Sequence, residues 1–106
     1  MHLALGQVST NLGNVGENLK SVEKAIEEAK NKSKEHIDLI AFPELFITGY
    51  NLRDNYNLVS ELIPSGDIGQ KGLLILAKKH DITILTGIVE RSNKSLFNSA
   101  IMIGPE

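Results

Sequence analysis

Cysteine is absent from this 106-residue sequence, as are long apolar runs and a strong excess of charge of either sign. Without cysteine the chain can form neither disulfides nor thiolate metal sites, a composition that fits a cytoplasmic protein. Eleven basic and thirteen acidic residues give a net charge of −2, so the charge favours neither nucleic acid nor an anionic membrane as a partner. The longest apolar runs, such as residues 73–77, are far too short to span a bilayer, and the first residues lack the pattern of a signal peptide.

The histidines and glycines also give no pattern typical of a metal or dinucleotide site. His2, His36 and His80 have neither the i,i+4 spacing of helical ligands nor an acidic residue at ligand spacing. No Gly-x-Gly-x-x-Gly occurs at a strand–helix turn. We therefore expect no metal and no cofactor. His80 is expected to interact with the dipole of a helix end, and the other two histidines are expected to be exposed.

Apolar spacing predicts two helices. The first should cover residues 15–34, because one face repeats at steps of four and three through Val15, Leu19, Val22, Ile26 and Ala29. Asn14 precedes this face, and Glu17 follows three residues later, which is the spacing of a capping box. Asp67 can cap the second helix, which should end at the basic run 78–80.

Four β-branched or apolar runs predict strands at residues 3–8, 37–42, 82–89 and 96–103. The spacer at residues 90–95 suits a hairpin between the last two. Residues 45–65 form a long segment rich in glycine, asparagine and aspartate, and segments of this kind often carry or cover a site. The order of elements predicts an α/β layered unit with a mixed sheet and two helices on one face.

The most informative stretch is residues 38–45, in which an apolar run ends in Pro43 and Glu44. Proline donates no backbone hydrogen bond, so strand pairing should stop there and Glu44 should project from a turn. The carboxyl ends of strands in an α/β sheet are where such folds bind ligands. We therefore expect Glu44 in a cleft, beside the carboxyl ends of the strands at residues 3–8 and 82–89. The alternative is a strand-end carboxylate that only caps a nearby backbone N–H.

Several segments together resemble one family, the nitrilase or carbon–nitrogen hydrolase superfamily. These segments occur in that family's order. They are Gln7 in the first strand, Gly13 to Leu19, Asp38 to Tyr50, Thr86 to Arg91, and Phe97 to Ala100 followed by Gly104 and Pro105. The resemblance implies an αββα sandwich, of which this chain would be the N-terminal portion. It also implies a Glu–Lys–Cys catalytic set that hydrolyses or condenses amides, nitriles or carbamoyl groups.

Only one member of that catalytic set has a counterpart in the sequence. Glu44 matches the family's glutamate and would be the general base. The family's lysine is expected soon after Gly104 and Pro105, and its cysteine further on. Residues 1–106 are therefore expected to be a partial carbon–nitrogen hydrolase domain, inactive alone. Tyr50 could line the substrate pocket, although a tyrosine packed on the core with its hydroxyl bonded is the alternative.

Two other interpretations remain open. Thr48, Gly49 and Tyr50, with Asp54 four residues further on, resemble the glutaminase domain of glutamine-dependent NAD synthetases. The second interpretation is a non-catalytic half-domain that docks on a partner or on itself, because a four-stranded sheet with two helices leaves strand edges and one face uncovered. For the same reason we expect a homo-oligomer, and the complete protein is expected to act on a small amide or nitrile.

Overall fold

The computed structural model describes residues 1–11, 13–49, 60 and 68–106. In chain order the described elements are β1 (Leu3–Leu5), α1 (Val15–Lys32), β2 (Leu39–Ala41), α2 (Ile68–His80), β3 (Thr83–Ser92) and β4 (Ser95–Ile103). They form one sheet of order β1-β2-β3-β4, in which the first three strands are parallel and β4 is antiparallel to β3. The predicted mixed sheet is confirmed. The predicted cap at Asp67 lies outside the described residues.

Helix α1 begins where the sequence predicts, since the side chain of Asn14 accepts a hydrogen bond of 3.0 Å from the backbone N–H of Glu17. The reciprocal half of the capping box is replaced, because the backbone N–H of Asn14 donates to the carbonyl of Asn11. The helix ends two residues before the predicted bound. Ser33 adopts an extended conformation there, and its hydroxyl donates to the carbonyl of Glu35.

The strands differ in length from the predicted ones. β1 and β2 have only three residues each, whereas β3 and β4 extend further towards each other than expected. Their hairpin is closed by Asn93 and Lys94 alone, and Asn93 has a φ of 54°. Asparagine tolerates this left-handed conformation better than most residues, so residues assigned to a loop extend the strands instead.

Both helices pack on one face of the sheet, as predicted. The core between the helices and the sheet includes Val22, Ile26, Ile40, Leu73, Ala77 and Ile84. Side chains alternate between the faces of a strand, so the neighbours of these core residues lie on the opposite face. That opposite face is apolar and exposed at Leu3, Leu5 and Met102, which are 54%, 69% and 64% exposed. The sheet therefore has one covered and one uncovered apolar face.

A carboxylate on α1 connects the two helices. Glu23 Oε2 lies 2.8 Å from Lys79 Nζ and 2.8 Å from His80 Nε2. His80 ends α2 as expected, but it is buried and paired with an acidic residue that sequence spacing did not reveal, whereas His2 and His36 are exposed as predicted. Within the described part of the chain, no helix combines the length and apolar character needed to cross a bilayer.

Candidate active site

Glu44 follows directly from the end of β2. Hydrogen bonding to β3 continues past β2 through Phe42, whose N–H donates to the carbonyl of Leu85 at 2.8 Å, and ends at Pro43, which has no N–H to donate and only accepts from β3 through its carbonyl. Glu44 then opens a turn at residues 44–48, with its side chain exposed. The predicted position after β2 agrees with the structure. The prediction that Glu44 lies beside the carboxyl end of the third strand is wrong. Strand β3 continues to Ser92, and Glu44 lies beside Gly87 in the middle of that strand.

A cleft of about 340 Å³ lies at Glu44, between the turn and the β3–β4 hairpin. Its lining residues are Phe42, Glu44, Leu85, Thr86, Gly87, Asn98, Ser99 and Ala100. Gly87 and Ala100 are paired across the two strands. Glu44, Asn98 and Ser99 therefore line the cleft together with apolar residues.

Gly87 allows the turn to rest directly on β3. Its N–H lies 3.3 Å from the carbonyl of Pro43, to which it donates. A Cβ placed on Gly87 would meet the backbone nitrogen of Leu45 and would lie 2.8 Å from Glu44 Cα. Backbone atoms cannot move aside as the end of a flexible side chain can. The absence of a side chain at Gly87 thus brings Glu44 close to the sheet.

The turn itself contains a strained residue. Leu45 is buried and has a φ of 50°, a left-handed conformation that costs a non-glycine residue roughly 1–2 kcal/mol. Its carbonyl accepts hydrogen bonds from the backbone N–H of Thr48 at 3.2 Å and of Gly49 at 2.7 Å. Such strain persists only where surrounding contacts over-determine the conformation, and it often occurs at functional sites.

Asn18 is a functional candidate that the sequence interpretation missed. It is fully buried on α1, where its Nδ2 donates to the carbonyls of Ile47 and Asn11, both at 2.8 Å. Its Oδ1 accepts from the N–H of Asn11 at 2.6 Å. A signal was present in the sequence, because Asn18 lies three residues after Val15 and four before Val22, on the apolar face of the helix. A polar residue on that face needs partners inside the fold.

Tyr50 and Asp54 lie outside the described residues. Within the described ranges, no group of three or more histidine, aspartate or glutamate side chains could hold a metal ion. The residues that line the cleft include a carboxylate that can accept a proton, but neither a thiol nor an ammonium group. Chemically, this arrangement can supply a general base to a nucleophile that comes from elsewhere.

The model of the carbon–nitrogen hydrolase family matches residues 2–106. A protein from Pyrococcus abyssi named nitrilase is 36% identical over 90 residues, which are 83% of this chain and 33% of that protein. A 2-oxoglutaramate amidase from Bacillus subtilis is 34% identical over 101 residues, covering 94% of this chain and 36% of the amidase. A glutamine-dependent NAD(+) synthetase from Acinetobacter baylyi is 30% identical over 105 residues, covering 95% of this chain and 18% of the synthetase.

The fold is shared with solved structures of the same superfamily. Nit3 of Saccharomyces cerevisiae, a member of branch 10 of the nitrilase superfamily, matches with a TM-score of 0.83. The match covers 97% of this chain and 39% of Nit3 at 23% identity. These findings confirm the resemblance and the fold class. The chain spans about a third of the length of the nitrilase and amidase relatives.

Proposed function

The chain belongs to the carbon–nitrogen hydrolase family, and we propose that it supplies the general base Glu44 for hydrolysis of a non-peptide C–N bond. The observation that carries this proposal is the position of Glu44. Glu44 follows the partly buried strand β2, lines a cleft, and lies in a hydrogen-bonded turn whose backbone rests on Gly87. A residue that only capped a neighbouring N–H would not need a strained turn and a bare glycine beneath it.

Glu44 would act by accepting a proton from a nucleophile. A thiol at neutral pH is mostly protonated, so a carboxylate within hydrogen-bond reach must take its proton as the sulfur attacks the carbonyl or nitrile carbon. The attack builds negative charge on the substrate oxygen or nitrogen, and a positioned ammonium and backbone N–H groups would stabilise that charge. Residues 1–106 contain no cysteine. We therefore propose that these residues form a partial domain that is inactive alone.

The substrate class follows from the relatives. Two relatives, named nitrilase and 2-oxoglutaramate amidase, are 36% and 34% identical to this chain. A small amide, carbamoyl compound or nitrile is therefore the proposed substrate. Tyr50 remains a proposed pocket residue on the family resemblance alone.

A second candidate is the glutaminase domain of a glutamine-dependent NAD synthetase. The observation that favours it is the 30% identity to the Acinetobacter baylyi enzyme over nearly the whole chain. The two candidates make different demands on the rest of the protein. A synthetase domain should follow in frame if the chain belongs to that enzyme, and glutamine should then be the amide that is hydrolysed.

The test is amide hydrolysis by the native polypeptide that contains residues 1–106. Glu44→Gln keeps the size of the side chain but removes the base, so it should lower kcat by about 10²–10⁴-fold without changing the thermal unfolding midpoint. Glu35→Gln, at an exposed carboxylate after α1, should leave kcat unchanged. Full activity of Glu44→Gln would remove this residue from the mechanism. Amide hydrolysis by residues 1–106 alone would contradict the partial domain.

A further inference from the structure

Three successive carbonyls of the turn after Glu44 accept hydrogen bonds from one distant segment. The hydroxyl of Thr10 donates to the carbonyl of Phe46 at 2.6 Å. The side-chain amide of Asn18 donates to the carbonyl of Ile47 at 2.8 Å, and the N–H of Gly13 donates to the carbonyl of Thr48 at 2.7 Å. The donors all lie between the end of β1 and the first turn of α1.

Asn18 is the rigid member of this set. Its side chain is fully buried and makes three hydrogen bonds, two of which fix Asn11 in the segment that leads into α1. Two helical turns later, Ile26 is also fully buried in the core, so the helix that carries Asn18 is anchored independently of Val22. The third hydrogen bond, to Ile47, therefore ties the turn to a helix that cannot readily shift.

The turn needs such an anchor because of Leu45. A left-handed leucine would relax to an ordinary conformation if the carbonyls after it were released, and Glu44 is the residue next to it. Gly87 supports the turn from β3 but supplies only one N–H, which goes to Pro43. The bonds from Thr10 and Asn18 hold the other end of the turn.

We propose that Asn18, assisted by Thr10, positions Glu44 for proton transfer by holding the carbonyls of the turn that follows it. Neither residue lines the cleft at Glu44, so both would act through the turn. This inference rests on the proposed function, because it assumes that Glu44 is the base. A displacement of about 1 Å by a residue outside the site can cost about 10²-fold in rate.

The experiment compares Asn18→Ala and Thr10→Val with Val22→Ala and Glu44→Gln in the native polypeptide that contains residues 1–106. Val22→Ala is the matched control, because it empties a fully buried position one turn along the same helix without touching the turn. We expect kcat to fall about 100-fold in Asn18→Ala and about 10-fold in Thr10→Val. KM should change less than about threefold, and Val22→Ala should lose thermal stability while keeping kcat below its unfolding midpoint.

The outcomes separate the inference from the function beneath it. If Glu44→Gln is inactive while Asn18→Ala and Thr10→Val keep the wild-type kcat, the positioning role is wrong and the function stands. An equal fall of kcat in Val22→Ala and Asn18→Ala would also overturn the positioning role, since general destabilisation would then explain both. If Glu44→Gln is fully active, the proposed function itself fails. Should Asn18→Ala not fold, Thr10→Val decides alone, because it keeps the shape of the side chain and removes only the hydroxyl.

Discussion

Gly87 lies against the peptide that joins Glu44 to Leu45, and a Cβ on this glycine would be 2.8 Å from Glu44 Cα. Gly87 lies within β3, whereas Glu44 follows the end of β2, and the parallel pairing of these two strands brings the residues together. The glycine is therefore part of what places the carboxylate, although it carries no functional group. It also explains why the turn can approach the sheet without a side chain between them.

Gly87→Ala should displace the turn and with it Glu44. Because the added methyl meets backbone atoms, we expect a loss of about 1–3 kcal/mol in the free energy of unfolding. We also expect a fall of about 10²-fold in the kcat of the complete enzyme. Gly104→Ala is the matched control, since a Cβ there would make only an ordinary contact of 3.6 Å with Thr83 Oγ1. Wild-type stability and kcat in Gly87→Ala would show that the turn does not depend on this glycine.

Thr86 and Thr48 offer a paired test of buried hydroxyls. Both side chains are almost fully buried, but the hydroxyl of Thr86 has no hydrogen-bond partner among the described residues. The hydroxyl of Thr48 lies 3.3 Å from the carbonyl of Leu45 and 3.2 Å from that of Gly49. Valine keeps the shape of threonine and removes the hydroxyl. Thr86→Val should therefore raise the free energy of unfolding by about 1 kcal/mol, and Thr48→Val should lower it by about as much.

Urea denaturation of both variants checks this pair. Each serves as the control for the other, because the substitution is identical and only the hydrogen bonding differs. A loss of stability in Thr86→Val would mean that its hydroxyl has a partner outside the described residues. That result would make Thr86 a candidate contact of the cleft it lines.

Glu23 should make stability depend on pH in the acid range. Hydrogen bonds from Lys79 and then from His80 hold the pKa of Glu23 below its ordinary value. A carboxylate with a lower pKa in the folded chain stabilises the fold above its unfolded pKa. That stabilisation is lost as the pH falls through the folded pKa. Between about pH 5 and pH 3, the free energy of unfolding should thus fall more steeply in the wild type than in Glu23→Gln.

The expected difference is small, because Glu23 and Lys79 are partly exposed and solvent screens their attraction. We expect about 0.2–1 kcal/mol, measured by denaturant unfolding at several pH values. Glu28→Gln changes an exposed carboxylate of the same helix and should keep the wild-type slope. Parallel curves for the wild type and Glu23→Gln would contradict the prediction.

Local patterns were enough to predict α1, α2 and the place of Glu44 after β2. The apolar face of α1 repeats with the helical period, and Pro43 ends strand pairing wherever it lies in the fold. Both patterns depend only on residues that are close together in the sequence. The order of elements likewise predicted the mixed sheet with both helices on one face.

What the sequence did not reveal depends on contacts between distant residues. Gly87 touches Glu44 only through the register of β2 and β3, and His80 meets Glu23 across 57 positions of sequence. Asn18 was counted as part of a family motif, but its hydrogen bond to Ile47, 29 positions away, forms only once the turn after β2 has folded. These contacts position the site, whereas the local patterns place its elements.

The uncovered face of the sheet gives the last prediction, which concerns residues 1–106 alone. Leu5 and Met102 lie on this face and are more than half exposed. Exposed apolar sheet surface promotes association, so we expect this chain by itself to form dimers or larger species at micromolar concentration. Replacing both residues by lysine should shift the mass measured by light scattering towards the monomer, since burying the new charges would oppose association.

Ile75→Lys is the control for that shift, because Ile75 is 65% exposed but lies on α2, on the other side of the molecule. It should leave the association unchanged if the uncovered sheet face is the contact surface. If Ile75→Lys lowers the measured mass and the double substitution at Leu5 and Met102 does not, the contact surface lies on the helices instead of the sheet. A monomeric wild-type chain at tens of micromolar would contradict self-association and would favour a different partner for the uncovered face.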